Sequence, residues 1–432
     1  MNIRISLLLL LAGAGLAENQ PMFRGGLDHT GVYPGTAPRT EPKLKWKFAT
    51  GGQVISSAAV ANGVVYAGST DQQLYAVDFE TGQLKWKFGT ESSITSSPAV
   101  ADGVVYFGSY DGMFYAVDAD TGKLKWKFET GGERRFGHRN LHGLHPSGEV
   151  MSDPWDFYLS SPAVYKGAVY FGSGDNYVYS LDTATGSLKW RFRTGDVVHA
   201  SPAIVEDTVY IGSWDGLLYA LEASTGKVKF EVQAGTDPQT GNQQGFQSSP
   251  AVSGGVVYVG CRDSFVYAID AKIGARKWKV FNKGSWIMPS PAVHDGKVYF
   301  GTSDTSLLRV VAASDGSEVA TIEAKFPIYS SPAIAGDTLY VGTFGGKLLA
   351  MDLKTQKILW EFQTEASKKN APGLSKADGT IDLNKMMTRN FYDDMVIGVA
   401  RYLSTGSILA SPVIEHGVIL FGSADGNIYA LM

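Results

Sequence analysis

The chain has 432 residues, with 38 Lys and Arg against 42 Asp and Glu and a formal net charge of -4. That balance offers no basic field for a polyanion such as nucleic acid. With 51 glycines and 12% aromatic residues, it reads as a turn-rich all-β protein, long enough for one large domain.

Met1 to Ala17 opens with one Arg, runs through a Leu-rich core from Ile5 to Leu11 and ends in Gly15-Leu16-Ala17, the pattern of a secretory signal. Its core is too short to span a bilayer, and no later run of about 18 apolar residues exists. Export as a soluble periplasmic or extracellular protein with no membrane span is expected. Cys261 is the one cysteine, so neither an internal disulfide nor an N-terminal lipid anchor is expected. A free Cys of this kind behaves as a small buried hydrophobe.

From Ser57 onward one phrase returns eight times, with copies starting near Ser57, Ser97, Ser161, Ser201, Ser249, Ser290, Ser331 and Ser411. The basic spacing is roughly 40 residues, in the range of β-propeller blades. Residues 96–128 show one copy: short strand A (Pro98 to Ala101), B (Val104 to Gly108), C (Met113 to Val117) and D (Lys123 to Phe128). Asp111-Gly112 and Thr121-Gly122 supply the hairpin turns between them. Such a sheet exposes two apolar faces and needs neighbours to bury them. The last copy stops at Met432 without a D strand, whereas Leu44-Lys45-Trp46-Lys47-Phe48 has the D pattern before the first A strand. The expected architecture, over residues 18–432, is a single eight-bladed β-propeller of four-stranded blades closed by that N-terminal strand.

The run Asp118 to Phe128, Asp-x-x-Thr-Gly-Lys-x-x-Trp-x-Phe, recurs at Asp78 to Phe88 and Asp182 to Phe192 and partially at Asp270 to Trp278 and Asp352 to Phe362. It resembles the pyrroloquinoline-quinone (PQQ) repeat with its tryptophan-docking motif. The resemblance implies that Trp46, Trp86, Trp126, Trp190, Trp278 and Trp360 each dock on a neighbouring blade; blade four has Phe230 instead, and blade six has lost the motif. Two kinds of protein share these repeats: quinoprotein dehydrogenases, which hold PQQ and calcium at the channel mouth, and non-catalytic propellers such as the outer-membrane assembly lipoprotein B. The adjacent cysteines and the Arg-Gly-Val-x-Tyr/Phe-Trp stretch of the quinoprotein alcohol dehydrogenases are absent. Asp153-Pro154-Trp155-Asp156-Phe157 does resemble the run that supplies their catalytic aspartate. The lead-in Met22 to Gly31 is similar to that of both kinds.

In an up-and-down meander all D-to-A and B-to-C connections share one face. The long insertions, 129–158 and 363–408, and the shorter 233–247 and 281–288, are all D-to-A connections, so that face is the expected working face. Because closure entropy grows slowly with loop length, the insertions are expected to be separable from folding.

The first insertion carries Glu133, Arg134, Arg135, His138, Arg139, His142 and His145, then Asp153, Trp155 and Asp156. A helical turn over Arg139 to Leu144 would set the three histidines on one side, although Gly137 and Gly143 weaken it. The cluster reads as solvated loop packing or as an anion or ligand site using the arginines. Without a carboxylate or thiol at tight spacing, no metal site is assigned. Trp155 clamps the insertion to the rim or binds a partner, while Trp214 and Trp286, outside any docking motif, are expected to be partly exposed anchors. Asp71, Asp111, Asp175, Asp215, Asp263, Asp304 and Asp425 form a ring of turn acids explained by hairpin chemistry. In the second insertion, Phe391, Met395 and Val399 at helical spacing, with Met386 and Met387 upstream, predict a short amphipathic helix over the channel mouth.

The sequence therefore predicts an exported, monomeric scaffold that binds a protein partner or small ligand on the insertion face. The alternative is a PQQ- and calcium-dependent dehydrogenase of alcohols or sugars, with Asp153 or Asp156 as its base.

Overall fold

The computed structural model describes residues 21–146, 148–238, 245–386 and 390–432; the expected signal and Met387 lie outside them. Each repeat forms an antiparallel meander, in blade two Ala99–Ala101, Val104–Gly108, Met113–Asp118 and Leu124–Glu129. The B and C strands are buried along most of their length because neighbouring blades cover both faces, whereas the D strand alternates between exposed and half-buried at the rim. Every D strand slips by one residue against its C strand, as between Leu124 and Trp126. Such a bulge increases the local twist.

Tryptophan docking joins the blades. The indole nitrogens of Trp46, Trp86, Trp126, Trp190 and Trp278 donate to the backbone carbonyls of Phe79, Ala119, Thr183, Ala223 and Ala313 on the next blade, at 2.8–3.0 Å. Each ring lies on the glycine of the neighbouring C-to-D turn; a Cβ on Gly82 would come within 2.7 Å of Trp46. Phe230 takes the same seat on Gly274 without the hydrogen bond. Trp360 donates to Pro38 at 3.1 Å, so N-terminal chain replaces the missing turn there.

The ring closes as expected: Leu44–Ala49 pairs antiparallel with the last strand, Asn427–Leu431. The repeat serines make a second closure inside the channel. Running from Ser290 through Ser331, Ser411, Ser57, Ser97, Ser161 and Ser201 to Ser249, each backbone N–H donates to the Oγ of the next serine, Ser411 to Ser57 at 2.8 Å.

The lead-in has a structural role that its sequence did not reveal. Residues 21–33 cross the channel, and the carbonyls of Pro21, Leu27, Asp28, Thr30 and Gly31 accept from the A strands of blades two, four, five, six and seven. Val32–Tyr33 then adds a parallel fifth strand to blade seven. Arg24, 1% exposed, donates to the carbonyls of Pro332 and Pro291. No helix among the described residues is long and apolar enough to cross a membrane.

Candidate functional site

The two long insertions fold against each other as one lid over the channel mouth. The first contributes a hairpin, Gly137–Arg139 against Val150–Ser152, and a short 3-10 turn, Leu141–Gly143. The second contributes the helices Glu365–Asn370 and Tyr392–Ser404. Backbone bonds between His145 and residues 390 and 392 join them, and Tyr392 Oη donates to the Ser152 carbonyl at 2.8 Å. Phe136, Leu141, Leu144 and Met151 share one apolar cluster with Met386, Met395, Val399 and Tyr402. The predicted amphipathic helix is thus present, with Met395 and Val399 inward. Phe391 is its N-cap instead of its first inward residue, and is 56% exposed.

Beneath the lid, the repeat presents two sets of variable side chains. One is the residue two before each ring serine: Ile55, Thr95, Leu159, His199, Gln247, Met288, Tyr329 and Leu409. The other is the middle residue of each B-to-C turn, which in blades two, four, five and seven is Tyr110, Trp214, Arg262 and Phe344. The flanking turn acids are structural, as expected: Asp71 accepts from the Gly51 and Gln73 N–H groups and from Tyr75 Oη. Asp111, Asp175, Asp215 and Asp425 likewise accept from a tyrosine four residues on.

Arg262, 2% exposed, lies over two indoles, with its guanidinium carbon 4.6 Å from the Trp214 centroid and 3.9 Å from that of Trp286. It pairs with Asp153, which His142 Nε2 also approaches at 3.5 Å. Burial alone would raise the Asp153 carboxyl, but the Arg262 charge and His142 outweigh it and hold it well below the usual carboxylate range. Asp156 accepts from His199 Nδ1 at 2.8 Å, the Phe136 N–H at 2.7 Å and Gln247 Nε2 at 3.3 Å. Glu133 lies 3.6 Å from His199 Nε2. Burial lowers the His199 value, yet Asp156 and Glu133 prevail and push it up to about 10, so this buried imidazole is charged at neutral pH. Two buried ion pairs thus pin the Asp153 to Asp156 run onto the mouth.

Several expectations need correction. Trp214 and Trp286 are 2% and 8% exposed, because Arg262 and the lid cover them; Trp214 also stacks on Phe136 at 4.2 Å. Trp155 is buried among Phe157, Tyr329, Phe344 and Tyr402. The three histidines do not converge, since residues 137–139 are extended: His138 is exposed on the hairpin, His142 turns inward, and His145 packs on Phe391. Arg134 pairs with Asp196 at 2.9 Å, Arg139 is exposed on the hairpin, and Arg135 lies at the edge of the lid. Cys261 is buried, as expected. Arg262, His199, Gln247 and Tyr110 escaped the sequence reading. Their signal was variation inside the repeat, such as Cys261-Arg262-Asp263 where five of the other blades read Ser-x-Asp.

The channel beneath the lid has no room for a PQQ molecule. Between Phe23 of the N-terminal segment and Tyr158, Met288 and Tyr329 on the lid side, the channel keeps a cavity of about 30 Å³. Ligand pockets are typically about 300–1,000 Å³. The Trp214 and Trp286 rings already contact Arg262 and Phe136, and no group of three His, Cys, Asp or Glu among the described residues is placed to hold a metal ion.

The fold has solved counterparts. BamB from Moraxella catarrhalis aligns with a TM-score of 0.65 at 16% identity, over 91% of this chain and 100% of its own. A europium-containing methanol dehydrogenase aligns with a TM-score of 0.69 at 15% identity, over 96% and 98%. The quinohemoprotein alcohol dehydrogenase from Comamonas testosteroni aligns at 0.68 and 15%, over 96% and 80%. At these identities the likeness is one of fold. No curated protein sequence matches the chain. The family model for the outer membrane protein assembly factor BamB matches residues 38–151, 152–281 and 262–431, nearly the whole ring, and the chain belongs to that family.

Proposed function

We infer that the protein is an exported, non-catalytic binding scaffold whose working face is the lid built by residues 129–158 and 363–408. One observation carries this reading. Among the described residues, seven of the thirteen large apolar side chains left exposed sit in the first or second position of rim strands, such as Leu84 and Leu124, but Val150, Phe391, Val396 and Ile397 all stand on the two insertions. A rigid propeller that spends its longest connections on a lid and leaves that lid apolar outside is suited to hold a partner. The BamB relationship supports a partner in the cell envelope.

The dehydrogenase alternative has less support. A general base works best with a pKa near the operating pH. Asp153 is held far below that by Arg262, Asp156 is committed to His199, and both are fully buried.

Cross-linking of the purified protein in native envelope extract tests the reading. Cross-links should map to the lid and be lost in a Phe391→Asp, Ile397→Asp double variant that melts like wild type. Cross-links confined to the Thr-Gly turns of the opposite face would overturn it. Incubation with PQQ and calcium should give neither stoichiometric binding nor dye reduction with alcohols or sugars; turnover would restore the enzyme reading.

A further inference from the structure

At one side of the lid, a groove of about 440 Å³ opens between the helix Tyr392–Ser404 and the mouth-facing connections of blades one and two. Its volume lies within the range of small-molecule sites. One wall is apolar, formed by Val396, Val399, Ala400 and Leu403 of the helix with Phe157. The connections of blades one and two supply the polar side chains of Gln53, Thr70, Ser92 and Thr95.

Arg135 is the one charged side chain among the residues lining this groove. Its neighbours in the same loop have their partners within the fold: Arg134 is bound to Asp196 and Asn176, and Glu133 accepts from the Gly174 N–H. Arg135 is exposed, and no carboxylate of the described residues lies within ion-pair distance of it. Beside it, the Tyr110 hydroxyl is out of contact with solvent, makes no hydrogen bond of ordinary length and angle, and lies within electrostatic reach of the Arg135 guanidinium. Burial raises the Tyr110 value well above its ordinary one, so the hydroxyl keeps its proton and remains a donor. A guanidinium fork next to a protonated hydroxyl is a donor set for a carboxylate, which Arg binds through two parallel N–H bonds. The apolar helix wall would accept the rest of such a molecule.

We propose that this groove binds a small organic carboxylate, with its anionic head on Arg135 and Tyr110 and an elongated apolar body along Val396, Val399 and Leu403. The site rests on the reading of the lid as the working face and names a ligand class for it. It occupies the side of the channel mouth at blades one and two, away from the Asp153–Arg262 and Asp156–His199 pairs.

Calorimetric titration of the full mature protein with 4-phenylbutyrate, its neutral amide and acetate tests the site. The carboxylate should bind one to one, the amide and acetate at least about tenfold more weakly, which is about 1.4 kcal/mol. Arg135→Ala should weaken 4-phenylbutyrate by a similar factor, Val396→Asp should weaken it by placing a like charge in the wall, and Arg134→Ala should bind as wild type. Tyr110→Phe, which retains the ring, separates the hydroxyl from packing and should weaken the carboxylate while leaving the amide unchanged. Equal affinity for acid and amide, wild-type affinity in Arg135→Ala, or no heat from any probe at about 10 mM would overturn the proposal. Those outcomes leave the macromolecular reading intact if the Phe391 and Ile397 variant still loses its cross-links, so the two can fail separately.

Discussion

Asp153 and His199 show how single residues hold the lid. Removing the Asp153 charge leaves Arg262 buried with its ion partner gone, and breaking a buried pair typically costs about 3–5 kcal/mol. Asp153→Asn should therefore lower the urea midpoint markedly at neutral pH, whereas a double variant with Arg262→Met should recover part of the loss; a wild-type midpoint in the single variant would show that the pair contributes nothing. The pH dependence has opposite signs at the two sites. The folded value of His199, about 10, lies above its ordinary 6.5, so its contribution is full below about 6.5 and is lost as pH rises through about 10. The Asp153 value is depressed, so its contribution is present above the ordinary 3.8 and is lost as pH falls below that. Thermal melts between about pH 7 and about pH 10 should show a steeper loss for wild type than for His199→Gln. Equal slopes would mean that His199 is not held as a cation.

At the scale of the element, the dock between a D-strand tryptophan and the next blade's turn is the repeated joint. Gly82 and Gly63 have the same left-handed backbone, φ +71° and +72°, so an alanine strains both alike. Only at Gly82 would the new Cβ strike an indole, that of Trp46; at Gly63 nothing lies within 4 Å. Gly82→Ala should cost about 1–3 kcal/mol more than Gly63→Ala, the usual range for overpacking. Denaturation of the two variants side by side measures that difference, and equal losses would show that the dock has slack. The N-terminal strand is a second joint. Deleting residues 21–48 removes the closing strand, the Trp46 dock and the channel-crossing segment together, exposing the edge of Asn427–Leu431. Aggregation or loss of cooperative melting is expected, because a bare edge strand templates pairing with other chains; a truncated protein that melts like the intact ring would contradict closure.

For the whole molecule, the lid is part of the fold. The first insertion, expected to be separable from folding, buries Phe136, Leu141, Leu144 and Met151 over Trp214 and Trp286. Replacing residues 131–152 with a short Gly-Ser linker would remove those four side chains, each worth about 1.5–3 kcal/mol when buried. A large fall in melting temperature should follow, and a melt like that of wild type would show the lid to be independent after all.

Repetition made the architecture legible from the chain alone. Local turn chemistry and a two-residue apolar period recur in every copy, so eight blades, their strand limits to within a residue or two and the closing D strand could all be read from linear spacing. The amphipathic helix at 392–404 was legible for the same reason, as a periodic pattern. The site was not, because its contacts join residues far apart in the chain: Asp153 meets Arg262, His199 meets Asp156 and Trp286 meets His142 only when the ring brings blades three to six around one axis. Burial of Trp214 and Trp286 was decided in the same way, by an insertion folding back over them. The lead-in offered least of all, since backbone carbonyls make most of its contacts across the channel and a backbone bond leaves no mark on side-chain identity.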